Sequence, residues 1–139
     1  MKLDDCFRRG LLKRITADKE NALRSLELSM SNIDDAEASM SIRRYRVVVV
    51  SSYTAMFHAA RAILFRDGVK ERSHECIPVY IKESYPRLVR AANTLDSYRR
   101  FRHNVIYGLD VLLDEDEARA VLDAAKETLL EVKKFMNVN

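Results

Sequence analysis

The stretch YRRFRHNVIYG, residues 98–108, gathers the groups best suited to chemistry. Arg99, Arg100, Arg102, His103, Asn104 and Tyr107 fall within nine positions. From Lys82 to Arg102 there are six basic residues and two acids. Cations interleaved with aromatic rings suit a single-stranded nucleic acid, with charge on phosphates and rings under bases; a solvated basic helix face has the same composition. Arg102 stands out further, because it falls in register with the apolar positions Leu88, Ala91, Leu95, Tyr98 and Val105. Arg61 does the same in the stripe Val47, Val50, Thr54, Phe57 and Leu64. A guanidinium in an apolar groove is costly unless paired. Each arginine therefore reads either as a snorkelling or ion-paired side chain or as half of an anion site for phosphate.

The three histidines are His58, His74 and His103. His58 lies within a helical pattern and reads as a core residue or as a group facing the arginines. His74 reads as a helix-start residue, and His103 as the one proton carrier beside the arginine cluster. No two histidines lie three to five positions apart, and no HExxH, Gly-rich phosphate loop or Walker pattern occurs. The sequence therefore offers no metal site and no cofactor site.

These groups need elements to hold them. Only 3 Gly and 2 Pro occur in 139 residues, too few turn residues for a many-stranded β-fold. Steps of three and four among the apolar positions predict an all-α, up-and-down bundle of five to six helices, without a sheet, as a single domain over 1–139. A first short helix is expected over Asp4–Ile15. A second, capped by Thr16, carries Leu23, Leu26, Met30 and Ile33 inward. A third runs from Ile42 to Asp67 and ends at Gly68. Its Val47–Val50 tract favours strands by propensity, but the period of YTAMFHAARAILF is helical. Because this helix is apolar on two faces, it is expected to exceed what one small bundle can cover, and so to form a homodimer interface. GVKERS reads as a loop, with Ser73 capping a fourth helix. The fifth carries the Arg102 stripe to Tyr107-Gly108. The sixth opens on DEDE, residues 114–117, and closes on Lys126, Lys133 and Lys134, matching the helix dipole.

Composition narrows the class. Apolar residues make up 47% and charged residues 32%, which argues for a folded chain. The net charge is +3, with the excess in residues 1–70, and arginine outnumbers lysine 16 to 8. Arginine is the better bidentate partner for phosphate. The longest uninterrupted aliphatic run is Val47–Val50, far short of a membrane span. Cys6 and Cys76 form no metal pattern, and the simplest expectation is two free thiols in a cytoplasmic protein.

Two stretches resemble the HEPN superfamily of small helical domains. One is SSYTAMFHAARAILFRDGVKERSHECI, residues 51–77, an aromatic- and Ala-rich helix ending in a glycine loop before a Ser-His helix start. The other is RFRHNVIYG, residues 100–108. The resemblance covers most of the chain and is similar to the stand-alone members encoded beside a minimal nucleotidyltransferase. It implies an HEPN-like fold, a homodimer, RNA or nucleotide binding, and a metal-independent RNase acting as the toxin of a toxin–antitoxin-like pair. The family's RNases carry an Arg, a spacer of four to six residues, and a His. Arg102 occupies the arginine slot, and Tyr107 stands where the His belongs. A phenol, with an ordinary pKa near 10, is a poor base at neutral pH, so the departure bears on catalysis.

The sequence thus assigns Arg102, His103 and Tyr107 to catalysis. Arg61, Arg99, Arg100, Arg102, Asn104 and His58 are assigned to phosphate or nucleic acid. Arg102 and Tyr107, five apart, lie about 140° around a helix axis, so they meet only if the helix unwinds or a second subunit intervenes. The competing assignment is a non-catalytic helical module whose basic cluster docks a protein partner.

Overall fold

Asp4 and Asp5 sit at the positive end of a first helix, α1 (Leu3–Arg8), where acids are favoured. The helix expected to reach Ile15 stops early. Gly10 takes a φ of 72°, and the chain leaves extended as a strand, β1 (Leu12–Arg14). The computed structural model describes residues 1–139. The second helix, α2 (Lys19–Ser41), is capped by Asp18 rather than Thr16: its carboxylate accepts a hydrogen bond from the Asn21 N–H at 2.9 Å. After a tight turn comes α3 (Tyr45–Asp67), then a second strand, β2 (Val69–Glu71). The short α4 (Cys76–Ser84) leads through a 3-10 turn at Pro86–Leu88 into α5 (Val89–Tyr107). The chain ends on α6 (Glu115–Met136), opened by a reciprocal Asp114–Glu117 capping box. Helices hold 76% of the residues.

The strands correct the expectation of no sheet. β1 and β2 pair antiparallel, Leu12 opposite Glu71 and Arg14 opposite Val69. GVKERS is therefore half strand. Gly68 makes the pairing possible: its φ is 75°, and a Cβ there would lie 2.6 Å from the Ile15 carbonyl oxygen. Three-residue strands carry too little alternation to read from sequence.

α3 is the central helix, packed by α2, α5 and α6. The Val47–Val50 tract is helical, as its context predicts. The expectation that one small bundle could not cover α3 is corrected, since thirteen of its residues are buried within the single chain. Small residues allow this. Ser25 and Ser29 of α2 and Ala55, Ala59 and Ala62 of α3 are buried, and the Ser29 hydroxyl donates to the Ala55 carbonyl at 2.7 Å. α2 accordingly turns a smaller face inward than the stripe predicts. Leu23 and Met30 are exposed, while Ala22, Ser25, Ser29 and Ala36 join Leu26 and Ile33 inside. α3 is long and apolar enough to cross a membrane, but 67% of that stretch is buried inside the bundle.

Two fastenings hold the segment after α3. At its end, Asp67 accepts hydrogen bonds from the Tyr80 hydroxyl at 2.8 Å, from the Tyr85 hydroxyl, and from Arg66 Nε at 3.1 Å. Burial, then the Asp67 contact, pushes both phenols above their ordinary pKa. Beyond β2, Cys6 and Cys76 form a disulfide, Cα atoms 6.0 Å apart, tying α1 to α4. This corrects the expectation of free thiols and removes the cysteine argument for a reducing compartment. The two cysteines are 70 positions apart, and only the packing of α1 on α4 brings them together.

Candidate nucleic-acid interface

On α3, Tyr53, Phe57 and Arg61 recur every fourth residue, so they share one helix face. Against this face lie His74, from the turn between β2 and α4, and Arg99 and Arg102 from α5. Tyr53 is 1% exposed, and it joins the two sides. Its hydroxyl lies 3.0 Å from His74 Nδ1, and the Arg102 guanidinium sits 5.0 Å from its ring centroid. The His74 ring also stacks on Phe57, centroids 4.3 Å apart and planes within 19°. His58 packs edge-on against the other side of this group, 5.1 Å from Phe57.

The arginines differ in how their charge is met. Arg99 reaches one Asp96 oxygen at 2.9 and 3.0 Å, and Arg100 reaches the other at 2.8 Å. Arg61 Nε lies 2.9 Å from Glu71 Oε1, but the N–H points off that oxygen, leaving Nε and Glu71 Oε2 without hydrogen-bond partners. Arg61 thus takes the ion-paired reading, with its cation also over Phe65 at 4.9 Å. Arg102 has no acidic partner, and its buried Nε has no hydrogen bond. Its charge is met only by the face of Tyr53, a cation–π contact.

His58 and the more exposed His74 both feel these cations. Burial, then Arg61 and His74, lowers the His58 pKa below its ordinary 6.5. Burial, then Arg102, Arg99 and Arg61, lowers that of His74. Desolvation pushes the Tyr53 phenol up to about 12 against the pull of Arg102 and Arg99. At neutral pH the cluster holds neutral imidazoles, a protonated phenol and one uncompensated guanidinium. The His58 Nδ1 is buried and unpartnered, so His58 is not the satisfied core histidine that its helix position first suggests.

The RFRHNVIYG motif divides between two faces. Arg102 turns inward to Tyr53. His103 and Asn104 are exposed, and Tyr107 is 68% exposed, with the His103 and Tyr107 rings 4.7 Å apart. Within one chain, then, the structure gathers Arg61, His58, Arg99 and Arg102, and leaves His103, Asn104 and Tyr107 outside that group. Sequence reasoning missed Tyr53, Phe57 and His74 as site residues. The i, i+4, i+8 spacing of Tyr53, Phe57 and Arg61 was a usable signal, whereas the docking of His74 on them had none. His74 also lies ahead of α4, which begins at Cys76 and not at Ser73. The Ser73 hydroxyl instead accepts from the Glu75 N–H at 3.2 Å.

Beside the cluster, a groove of about 250 Å³ runs between α4 and α5, lined by Lys82, Glu83, Asp96, Arg99 and Arg100 among others. No three His, Cys, Asp or Glu side chains gather as metal ligands. A family model described as HEPN domain matches residues 22–135. No curated protein matches the sequence.

Proposed function

This chain belongs to the HEPN family, and from that premise we propose that it binds single-stranded RNA, with a phosphate on Arg102. One observation carries the reading: Arg102 is a half-buried guanidinium with no carboxylate, held on a buried phenol beside two neutral imidazoles. Such a group gains most from an anion that supplies the missing hydrogen bonds. The adjoining groove along α5 and α4 brings Lys82, Arg99 and Arg100 beside it, with Glu75, Glu83 and Asp96 in the same walls, so Arg102 is the cation left free for a phosphate. The family includes RNases and nucleotide-binding proteins, and the proposal extends to metal-independent RNA cleavage, in a homodimer working with a nucleotidyltransferase partner.

Fluorescence anisotropy with an unstructured RNA oligonucleotide tests it. Arg102 alone on a phosphate predicts that log affinity falls with log salt at a slope of about −0.7, steeper where Arg99 or Arg100 exchanges Asp96 for the strand. No binding at low salt overturns the reading. A second reading, docking of a protein partner, is favoured by a different observation: Tyr107, Leu109 and Leu112 are 68%, 98% and 90% exposed where α5 gives way to α6. Saturable binding of a protein without any RNA affinity would place that reading first.

A further inference from the structure

We infer that His74 is the catalytic base of this site, its Nε2 taking the proton of a ribose 2′-hydroxyl whose neighbouring phosphate is held by Arg102. The inference rests on the RNA reading and assigns the proton carrier to the turn before α4 instead of to α5.

Position comes first. His74 and Arg102 both contact one buried tyrosine: the hydroxyl of Tyr53 holds His74 Nδ1 at 3.0 Å, and its ring face holds the guanidinium at 5.0 Å. Phe57 fixes the plane of the imidazole by stacking at 4.3 Å. One hydrogen bond and one stack thus orient the ring, the arrangement a general base requires. Nε2 makes no hydrogen bond within the protein, and His74 is exposed at the surface of the cluster. His103, by contrast, shares with Arg102 only adjacency in sequence; its ring lies against exposed Tyr107.

Protonation agrees with position. The Tyr53 phenol, pushed up to about 12, keeps its proton; its hydrogen bond to Nδ1 forms in either tautomer, and the base is the one in which Nδ1–H donates to the phenol oxygen and the Nε2 lone pair faces outward. The charged and titratable groups around the ring are Arg61 and His58 on α3, Glu71 on β2, and Asp96, Arg99 and Arg102 on α5. Burial, then Arg102, Arg99 and Arg61, lowers the His74 pKa, so the ring is neutral at neutral pH. The step then balances without a metal or an added reactant. The 2′-hydroxyl proton moves to Nε2, the 2′-oxygen forms a bond to phosphorus, and the phosphorus–5′-oxygen bond breaks. The leaving oxygen takes a proton from water, and the imidazolium returns its own proton to the resulting hydroxide. The products are a 2′,3′-cyclic phosphate and a 5′-hydroxyl.

The full chain is incubated in EDTA with an unstructured RNA, and its affinity is measured on the 2′-O-methyl version, which cannot be cleaved by this route. The expected result is cleavage to 2′,3′-cyclic phosphate ends, reduced about 100-fold or more in His74→Gln, the range for loss of a general base. Affinity for the 2′-O-methyl oligonucleotide should change less than twofold. Tyr53→Phe keeps the ring under Arg102 but frees Nδ1, and should slow cleavage about tenfold without weakening binding. RNA bound but left intact by the wild type, or cut equally by His74→Gln, overturns the assignment of His74 and leaves the binding reading standing. No affinity for either oligonucleotide overturns the binding reading itself. If His74→Gln fails to fold by circular dichroism, Tyr53→Phe decides, and an unchanged cleavage rate there overturns the inference.

Discussion

Replacing Arg102 with methionine separates a ligand-binding arginine from a structural one, because the structure predicts opposite effects on the two. In the free protein Arg102 makes no ion pair, and its chief polar contact is the face of Tyr53. Losing a partly solvated cation–π contact costs about 0.5–1 kcal/mol. Removing the buried, unpartnered Nε returns about 1–3 kcal/mol of desolvation penalty, and methionine retains most of the stem that packs along α5. The balance is zero to about 2.5 kcal/mol in favour of the variant, so Arg102→Met should leave stability unchanged or raise it in urea denaturation. Leu95→Ala, at a side chain 2% exposed two turns earlier, provides the internal reference at about 2–5 kcal/mol of destabilisation. Binding should respond differently. A charge-assisted hydrogen bond to phosphate is worth about 1.5–3 kcal/mol, which is about 10- to 150-fold in affinity for single-stranded RNA by anisotropy. The log–log salt slope should flatten by about 0.7, one single-strand phosphate. If Arg102→Met instead destabilises as much as Leu95→Ala and leaves RNA affinity untouched, Arg102 is a structural residue and the reasoning fails.

Two other outcomes follow from features the fold assembles. The Cys6–Cys76 bond closes a loop spanning 70 positions, and chain entropy alone sets its contribution at up to about 4 kcal/mol; reductant should lower the thermal midpoint, and titration of two free thiols in unreduced, unfolded protein would refute the bond. His58 and His74 are both held below their ordinary 6.5, so between those lowered values and about 6.5 the unfolded chain binds more protons than the folded one. Stability is then fully present above about 6.5 and falls as pH drops through that window; thermal melts from pH 7.5 to 5 should show it, more weakly in His58→Gln, and a midpoint that rises on acidification contradicts it.

The long helices were legible from sequence because their signals are local. α6 carries its own capping box, acidic start and basic end, and α5 and α3 carry apolar steps of three and four over five turns or more. Even the Val47–Val50 tract was decided by the period around it. Short elements were not legible: β1 and β2 each span three residues and exist because Gly68 lets one backbone lie against the other. The inward face of α2 was misread because Ser25 and Ser29 are polar by type yet small enough to let α3 approach.

The site follows the same division. Arg102 in an apolar stripe was visible as an anomaly, and so was the arginine cluster around it, since both are matters of residue type and helical register. What each arginine faces was not. Asp96 neutralises Arg99 and Arg100 from the same helix, Glu71 meets Arg61 from a strand, and Arg102 is left with Tyr53. The partners Tyr53, His74 and Arg102 come from residues 21 to 49 positions apart, on three elements. Their meeting depends on how the β1–β2 pair and the Cys6–Cys76 bond carry the turn before α4 over α3. Spacing along one helix determines which side chains share a face. Register along α5 already separates Arg102 from Tyr107; which faces meet is decided by packing among helices far apart in the chain, and it is this packing that joins Arg102 to Tyr53 and, through it, to His74.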